Sequence, residues 1–474
     1  MDEDVLTIYG NQDYVRAAIG THFDDPRTYE DILKADGDEL PFTMRHKGTY
    51  RPKAKGLPYS VYYDPKYIPL EIENIWKKQW QVACRAEDIP NVGDRVNYDV
   101  GTLSFLVVRS GAQEFRAFYN SCRHRGRKLC SKVGSGDLIQ CPFHGWTYDL
   151  KGTLSWLPRH EEFPGVTAKN FSLREIKCDT WGGNVFVNPD PNAPPLKRAI
   201  GVMAEHFQDF PVEDRYTSMR IRKKVRINWK AGQQAFMEAY HVLVTHPSGM
   251  PMFGSCYTQI DLWDDDVAHV SRLITPAVTP DGWVRSKVPT SIGLRLFCNA
   301  YGFRAPSADR GLTHSDARSY AAEVQRERIE AESGIDHSNR SKAYLLDMVQ
   351  WTMFPNFYPW WGEGLAWWYN FTPYEDDPNA CVMEIRVTKP IPATGPCPPS
   401  AKPVDIDFEE KGADYPETGV IGLIMDEDMD NMAQLQKGFK AARPDSAHAV
   451  LATYQEDRVR HFEEVYARKM GLER

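Results

Sequence analysis

Cys122, His124, Cys141 and His144 spell C-x-H-x16-C-x-x-H, two short pairs in which a thiol and an imidazole lie within a few residues of each other. With nine Cys and 13 His in 474 residues, that spacing arises by chance roughly once in ten thousand sequences. Two thiolates and two imidazoles suit tetrahedral zinc or a two-iron cluster in which each metal takes two of the four ligands. Spacing alone does not choose between them, although a zinc finger more often places both cysteines in one pair. A second constellation runs from Asn228 to Pro247. Glu238 and His241 are three apart and share a helical face, whereas His246 lies five further on, about 140° around an ideal helix. Both rings can meet one metal only if the helix breaks or widens between them. Pro247 and Ser248-Gly249 suit such a break.

These side chains need elements to hold them. From Val96 to Tyr119, β-favouring runs separated by Gly101 and Ser110-Gly111 predict a small all-β unit that carries the first constellation at its end. Met219, Ile221, Val225 and Ile227 alternate with polar residues, as do Leu365, Trp367, Tyr369 and Phe371, and Cys381, Met383, Ile385 and Val387. Such alternation predicts half-buried antiparallel strands. Asn228 is a good N-cap for a helix running toward the histidines. Ser315 to Ser333, with Gly334 past its end, predicts an exposed helix. Met429, Met432, Leu435 and Phe439 give a helix face opened by the acids Asp426, Glu427, Asp428 and Asp430. Leu451, Tyr454, Phe462 and Val465 give a weaker one, interrupted by Arg458.

The bulk properties exclude several classes. Charged residues are 26% and hydrophobic ones 42%, values of an ordinary globular protein rather than a disordered or membrane-spanning one. A formal charge of −8 argues against nucleic acid or an anionic membrane as partner. The acidic N-terminus, Met1-Asp2-Glu3-Asp4, has no signal-peptide pattern, so a reduced, cytoplasmic setting is expected.

Cys-Arg-His-Arg-Gly at 122–126 and Cys-Pro-Phe-His-Gly-Trp-Thr-Tyr-Asp at 141–149 resemble the Rieske [2Fe-2S] domain of ring-hydroxylating oxygenases, in which His replaces Cys on one iron. The resemblance continues through Asn-Trp-Lys at 228–230, the acid three before His241, and His246 before Pro247, which look like the mononuclear iron motif of the same family. It implies a [2Fe-2S] cluster on Cys122, His124, Cys141 and His144. It also implies Fe(II) on His241, His246 and a downstream carboxylate, placed at Asp428 with Asp426 and Asp430 as rivals. Glu238 is then the catalytic acid that bridges a cluster histidine to an iron-site histidine, at a position where most members carry Asp. The other acids around Asp428 read as ordinary helix N-terminal residues.

The implied fold is α+β: an all-β Rieske domain joined to a helix-grip catalytic domain with an antiparallel sheet. The expected division is an N-terminal extension packing on the catalytic domain over 1–60, the Rieske domain over 61–170 and the catalytic domain over 171–474. The implied activity is that of the terminal oxygenase component of a multicomponent system. It uses O2 and electrons from a separate NAD(P)H-dependent reductase, with a ferredoxin and a small β subunit as further partners and a homotrimer of α subunits as the assembly. Phe236, Met237, Val242, Leu243, Ile424 and Met425 are the candidate pocket residues. The aromatic-rich stretch from Trp351 to Trp368 points to a small hydrophobic aromatic or polycyclic substrate. The alternative is a monooxygenase or demethylase acting on a quaternary amine, or on a methoxy or N-methyl compound, held by cation–π attraction. An electron carrier or zinc-stapled binding module needs only the first constellation. Arg123, Arg125, Arg127, Lys128 and Lys132 read either as a docking patch for an acidic electron donor or as a solvated loop.

Overall fold

The computed structural model describes residues 27–49, 56–246, 249–283, 290–300 and 312–472. Pro247 and Ser248, read above as part of a helix break, lie outside these residues, as do 1–26 and 50–55 of the expected N-terminal extension.

The β-favouring runs form Arg95–Val100, Leu103–Arg109 and Phe115–Tyr119, paired antiparallel. Val133–Gly134, Glu175–Trp181, Asn184–Asn188 and Gln81–Arg85 extend them into a seven-stranded sheet. Two of these strands fall after residue 170. A separate three-stranded sheet, Leu138–Gln140, Thr147–Asp149 and Leu154–Trp156, stands at the end that carries the Cys/His pairs.

The second sheet has eight strands in the order Gln259–Asp264, His269–Thr275, Met348–Met353, Tyr358–Trp361, Trp367–Pro373, Cys381–Pro390, Arg215–Val225 and Val404–Ile406. Its pairings are antiparallel except at one edge, where Val404–Ile406 runs parallel to Arg215–Val225. The three alternating segments read from the sequence are neighbours here: Trp367–Pro373 pairs with Cys381–Pro390, which pairs with Arg215–Val225. Both sheets contribute to one core, in which Val107 and Val185 pack in the same cluster as Ile221 and Ile385. Buried Asn356 accepts from the Val82 N–H at 3.1 Å and donates to the Tyr98 hydroxyl at 3.0 Å, bonding the second sheet to the first. Asp88 adds a buried ion pair, its carboxylate 2.6 Å from the guanidinium of Arg386. Burial pushes that carboxyl up, but Arg386 and Arg220 outweigh it and hold it well below the usual range. Breaking such a pair costs about 3–5 kcal/mol, because the remaining charge stays buried.

Three helix readings need correction. His314–Ser333 is capped as expected, by Thr313 and by Gly334 at φ 69°, yet Ala317, Ala321, Ala322 and Ile329 are buried against the core. Small alanines let this face approach closely, and sequence polarity masked it. Arg458 does not interrupt the C-terminal helix Asp457–Met470: it lies fully inside, donating to Ser271, Gln350, Thr352 and the Met237 carbonyl. Burial pulls this guanidinium down to about 9. The long helix Gly419–Ala441 starts seven residues before Asp426, so the acidic run lies inside it and not at its N-terminus.

Candidate metal centres

The two Cys/His loops are built alike. The N–H of Gly126 donates to the Cys122 carbonyl at 2.9 Å, and that of Gly145 to the Cys141 carbonyl at 3.0 Å. Each cysteine N–H in turn donates to a carbonyl five residues on, Arg127 or Trp146. Gly126 and Gly145 have φ of 77° and 76°, a conformation in which a side chain is strained. Equivalent turns therefore present one Cys and one His from each loop, which is why each pair is mixed.

Cys122 and Cys141 are buried, while His124 and His144 are half-buried. The Nδ1 atoms of the two rings face each other at 3.1 Å. Two nitrogens on one tetrahedral metal, each about 2.0–2.1 Å from it, are separated by about 3.3 Å, so the rings fit a shared iron. The four ligand atoms are not gathered tightly enough for a single ion: among the described residues, His241, His246 and Asp428 form the group whose ligand atoms all lie within 4.8 Å of one another. Thiols on one side and imidazoles on the other fit the two metals of a [2Fe-2S] cluster. Trp146 stacks on His124 with ring centroids 5.0 Å apart. The Tyr148 hydroxyl lies 3.6 Å from the Cys122 sulfur and accepts the Arg123 N–H. Of the nearby cations, Arg125 and Arg127 are exposed, and Lys128 pairs with Asp99 at 3.2 Å.

At the second centre the helix capped by Asn228 ends at Ala235. An irregular stretch carries Glu238, and a short helix, Val242–Thr245, follows. The helix thus breaks before His241. The break expected between the histidines is not found: a short helix runs between them, and it is His246, with φ −121° and ψ 59°, that leaves helical geometry. The Asp428 Oδ1 atom lies 3.1 Å from His246 Nε2 and 3.8 Å from His241 Nε2. Asp428 is buried on the long helix, whereas its rival Asp426 accepts the N–H groups of Gly412 and Ala413 at 2.7 and 2.9 Å, and Asp430 is exposed.

Both imidazoles are held from behind by carboxylates. Glu238 Oε1 is 2.7 Å from His241 Nδ1, and Glu427 Oε2 is 2.6 Å from His246 Nδ1. This carboxylate–histidine arrangement fixes the tautomer that leaves Nε2 free to ligate. Burial pulls the His246 ring down, but Asp428 and Glu427 together lift it to about 9, and His241 is raised in the same way, chiefly by Glu238. Two imidazoles and one carboxylate fit the facial triad of a non-haem Fe(II) site. Glu427 was dismissed in the sequence as a helix-terminal acid. Its place beside Asp428 in a helix packing on the histidines was the available signal.

The six candidate pocket residues do not converge. Met237 and Met425 are buried in the large shared core, Val242 packs against the cluster of Ala239 and Leu273, Leu243 against Met250, and Ile424 is 37% exposed. Phe236 meets Tyr369 and Phe371 at ring distances of 5.1 and 5.5 Å. Trp360 joins Tyr369 at 5.8 Å. Burial raises the Tyr369 phenol, and the Asp428 carboxylate raises it further. Tyr369 and Phe371 were legible only as strand positions on one face. Trp351, Phe357, Trp361 and Trp368 fill one core cluster, and Tyr369 and Phe371 are buried in the other.

The Rieske [2Fe-2S] domain family matches residues 79–173, and the family described as ring hydroxylating alpha subunit (catalytic domain) matches 208–472, more than half of the chain. The chain belongs to the ring-hydroxylating alpha-subunit family. Its members carry a Rieske cluster and a mononuclear iron. The chain is 27% identical over 243 residues to the glycine betaine monooxygenase oxygenase subunit of Pseudomonas aeruginosa strain UCBPP-PA14, covering 50% of this chain and 56% of that one. It is 32% identical over 224 residues to the biphenyl 2,3-dioxygenase subunit alpha of Rhodococcus jostii, covering 46% and 47%. It spans about half the length of the curated relatives it matches. A solved quaternary ammonium Rieske monooxygenase shares the fold of this ring-hydroxylating alpha subunit, with a TM-score of 0.63 at 16% identity over 91% of this chain and 99% of that one. No helix among the described residues is long and apolar enough to cross a membrane.

Proposed function

We propose that this chain is the oxygenase component of a Rieske non-haem iron system that inserts oxygen from O2 into a small hydrophobic substrate. The observation that carries the reading is the convergence of His241, His246 and Asp428. When bound, the cluster and the ferrous iron supply single-electron delivery and dioxygen activation. The chain's own residues orient these groups: Glu238 and Glu427 hold the two imidazoles by Nδ1, and the aromatic wall of Phe236, Trp360, Tyr369 and Phe371 excludes water and packs the substrate against the triad. Glu238 is the connection toward a cluster histidine of a neighbouring copy in a homotrimer. The electron donor is a reductase that oxidises NAD(P)H, with or without a ferredoxin, and it docks on the exposed Arg125 and Arg127 face. In this reading the Rieske unit extends from residue 61 through the sheet strand ending at Asn188, with the N-terminal segment before it and the catalytic unit after it.

An aromatic or polycyclic ring is the first substrate class, because the wall offers apolar area and ring-stacking faces. Oxidation at a methyl of a quaternary amine is the second. It is favoured by Glu in place of Asp at 238 and by the likeness to glycine betaine and quaternary ammonium monooxygenases; the same rings can hold a cation over their faces. A screen of aromatic, steroid-like and quaternary amine compounds with a surrogate reductase, scored by product mass, tests both. Gain of two oxygens and two hydrogens supports ring dihydroxylation, and formaldehyde release supports demethylation. Absence of oxygenated product across the panel, with a reducible cluster and bound iron, counts against the reading.

A further inference from the structure

We propose that Glu427 is a positioning residue of the mononuclear site, holding the His246 ring by Nδ1 so that Nε2 stays aimed at the metal position beside Asp428. The inference rests on the reading of His241, His246 and Asp428 as ligands. Neighbouring residues on a helix point about 100° apart, so Glu427 and Asp428 leave the helix Gly419–Ala441 in different directions. Asp428, buried, meets His246 Nε2 at 3.1 Å, while Glu427, with a side chain 39% exposed, reaches Nδ1 of the same ring at 2.6 Å. One helix therefore grips both ring nitrogens of a histidine 181 residues away in sequence.

A second bond one turn further along keeps the grip in register. The Asn431 side-chain amide donates to the Thr245 hydroxyl at 3.2 Å, and to the Glu427 carbonyl at 3.5 Å. Thr245 and His246, consecutive at the end of the short helix, are thus fastened to the long helix by Asn431 and Glu427. His241 is held differently: its partner Glu238 belongs to the same stretch of chain and is anchored by the N–H groups of Tyr240 and His241.

A neutral imidazole that ligates through Nε2 carries its proton on Nδ1, and a carboxylate there raises the basicity of the ligating nitrogen as well as orienting the ring. Loss of such a partner typically lowers metal affinity about 10- to 100-fold. Glu427→Ala removes both charge and acceptor, whereas Glu427→Gln keeps an acceptor oxygen and removes the charge.

The test uses the full chain, depleted of mononuclear metal by a chelator with the visible absorption of the cluster kept as a control. Co(II) is then titrated in, and affinity and ligand-field absorption are read together. The expected order is wild type tightest, Glu427→Gln weaker by several-fold and Glu427→Ala weaker by about 10- to 100-fold, with an altered Co(II) spectrum. Wild-type affinity and spectrum in both Glu427 variants, while His246→Ala fails to bind, overturn the role of Glu427 alone. Wild-type binding in His246→Ala overturns the ligand reading and this inference with it. Glu427→Gln, isosteric at an exposed position, serves as the readout should the alanine variant fold poorly.

Discussion

Apart from the cluster pair His124 and His144, two pairs of histidines among the described residues lie at almost the same ring separation, and only one of these two is suited to a mononuclear metal. His46 and His206 stack with centroids 5.0 Å apart; His241 and His246 meet at 5.3 Å. In the first pair His46 Nδ1 faces His206 Nε2 at 2.9 Å, Trp351 and Trp263 pack against His206, and the nearest charge is the Arg272 guanidinium. Burial, then Arg272, pulls His206 down to about 3. In the second pair both rings turn Nδ1 to a glutamate and Nε2 to Asp428, and His246 is lifted to about 9. For these two pairs, what separates core from mononuclear site is the set of carboxylates around the rings, not the histidines or their spacing.

The largest effect that can break this comparison is loss of the metal. His241→Ala, His246→Ala and Asp428→Ala should each lose the mononuclear iron and fall to background turnover while keeping the cluster absorption, and His206→Gln should retain both. Iron analysis beside the visible spectrum checks it. If Asp428→Ala keeps its iron and Asp426→Ala does not, the carboxylate has been assigned wrongly.

Glu238→Gln sharpens the comparison at the next level. Both irons should stay, and reoxidation of the reduced cluster in the presence of substrate and oxygen should slow by about 10- to 100-fold in single turnover. Glu238→Asp should be milder. Reoxidation at the wild-type rate in Glu238→Gln, with both metals confirmed, would leave Glu238 as a simple partner of His241.

The smallest effect belongs to His206. Its folded pKa, near 3, lies below the unfolded value of about 6.5, so the unfolded chain binds the extra proton between those limits. The stabilisation is complete above pH 6.5 and declines as pH falls, by up to about 1.4 kcal/mol per pH unit. Urea midpoints between pH 7 and 5 should fall with a slope that His206→Gln flattens. Equal slopes in the two proteins would show that the ring does not titrate this way.

How much of this was legible in the sequence depended on how local each signal was. The Cys122 and Cys141 loops are short turns whose Gly126 and Gly145 stand in the motif itself, so the four ligands could be read without knowing the fold. The half-buried strands containing Ile221 and Ile385 were legible because one face alternates with the other, whereas Trp367–Pro373, expected to be half-buried, has all its interior residues buried. His269–Thr275 and Met348–Met353 were not legible: they are buried on both faces or nearly so, and the alternation vanishes. Glu427 behind His246 and Arg458 inside the core arise from contacts between segments 100 or more residues apart, which periodicity does not carry. The six pocket residues were chosen as sequence neighbours of the ligands, and neighbours on a helix or turn point in different directions.

The central claim is that the chain holds two separable metal centres, a cluster on Cys122, His124, Cys141 and His144 and an iron on His241, His246 and Asp428. Mössbauer spectra of 57Fe-enriched wild type and Asp428→Ala test it most directly. The wild type should show the cluster doublets together with a high-spin ferrous site, and Asp428→Ala should show the cluster doublets alone. A colourless wild type holding stoichiometric zinc, or a ferrous signal that persists unchanged in Asp428→Ala, would contradict it.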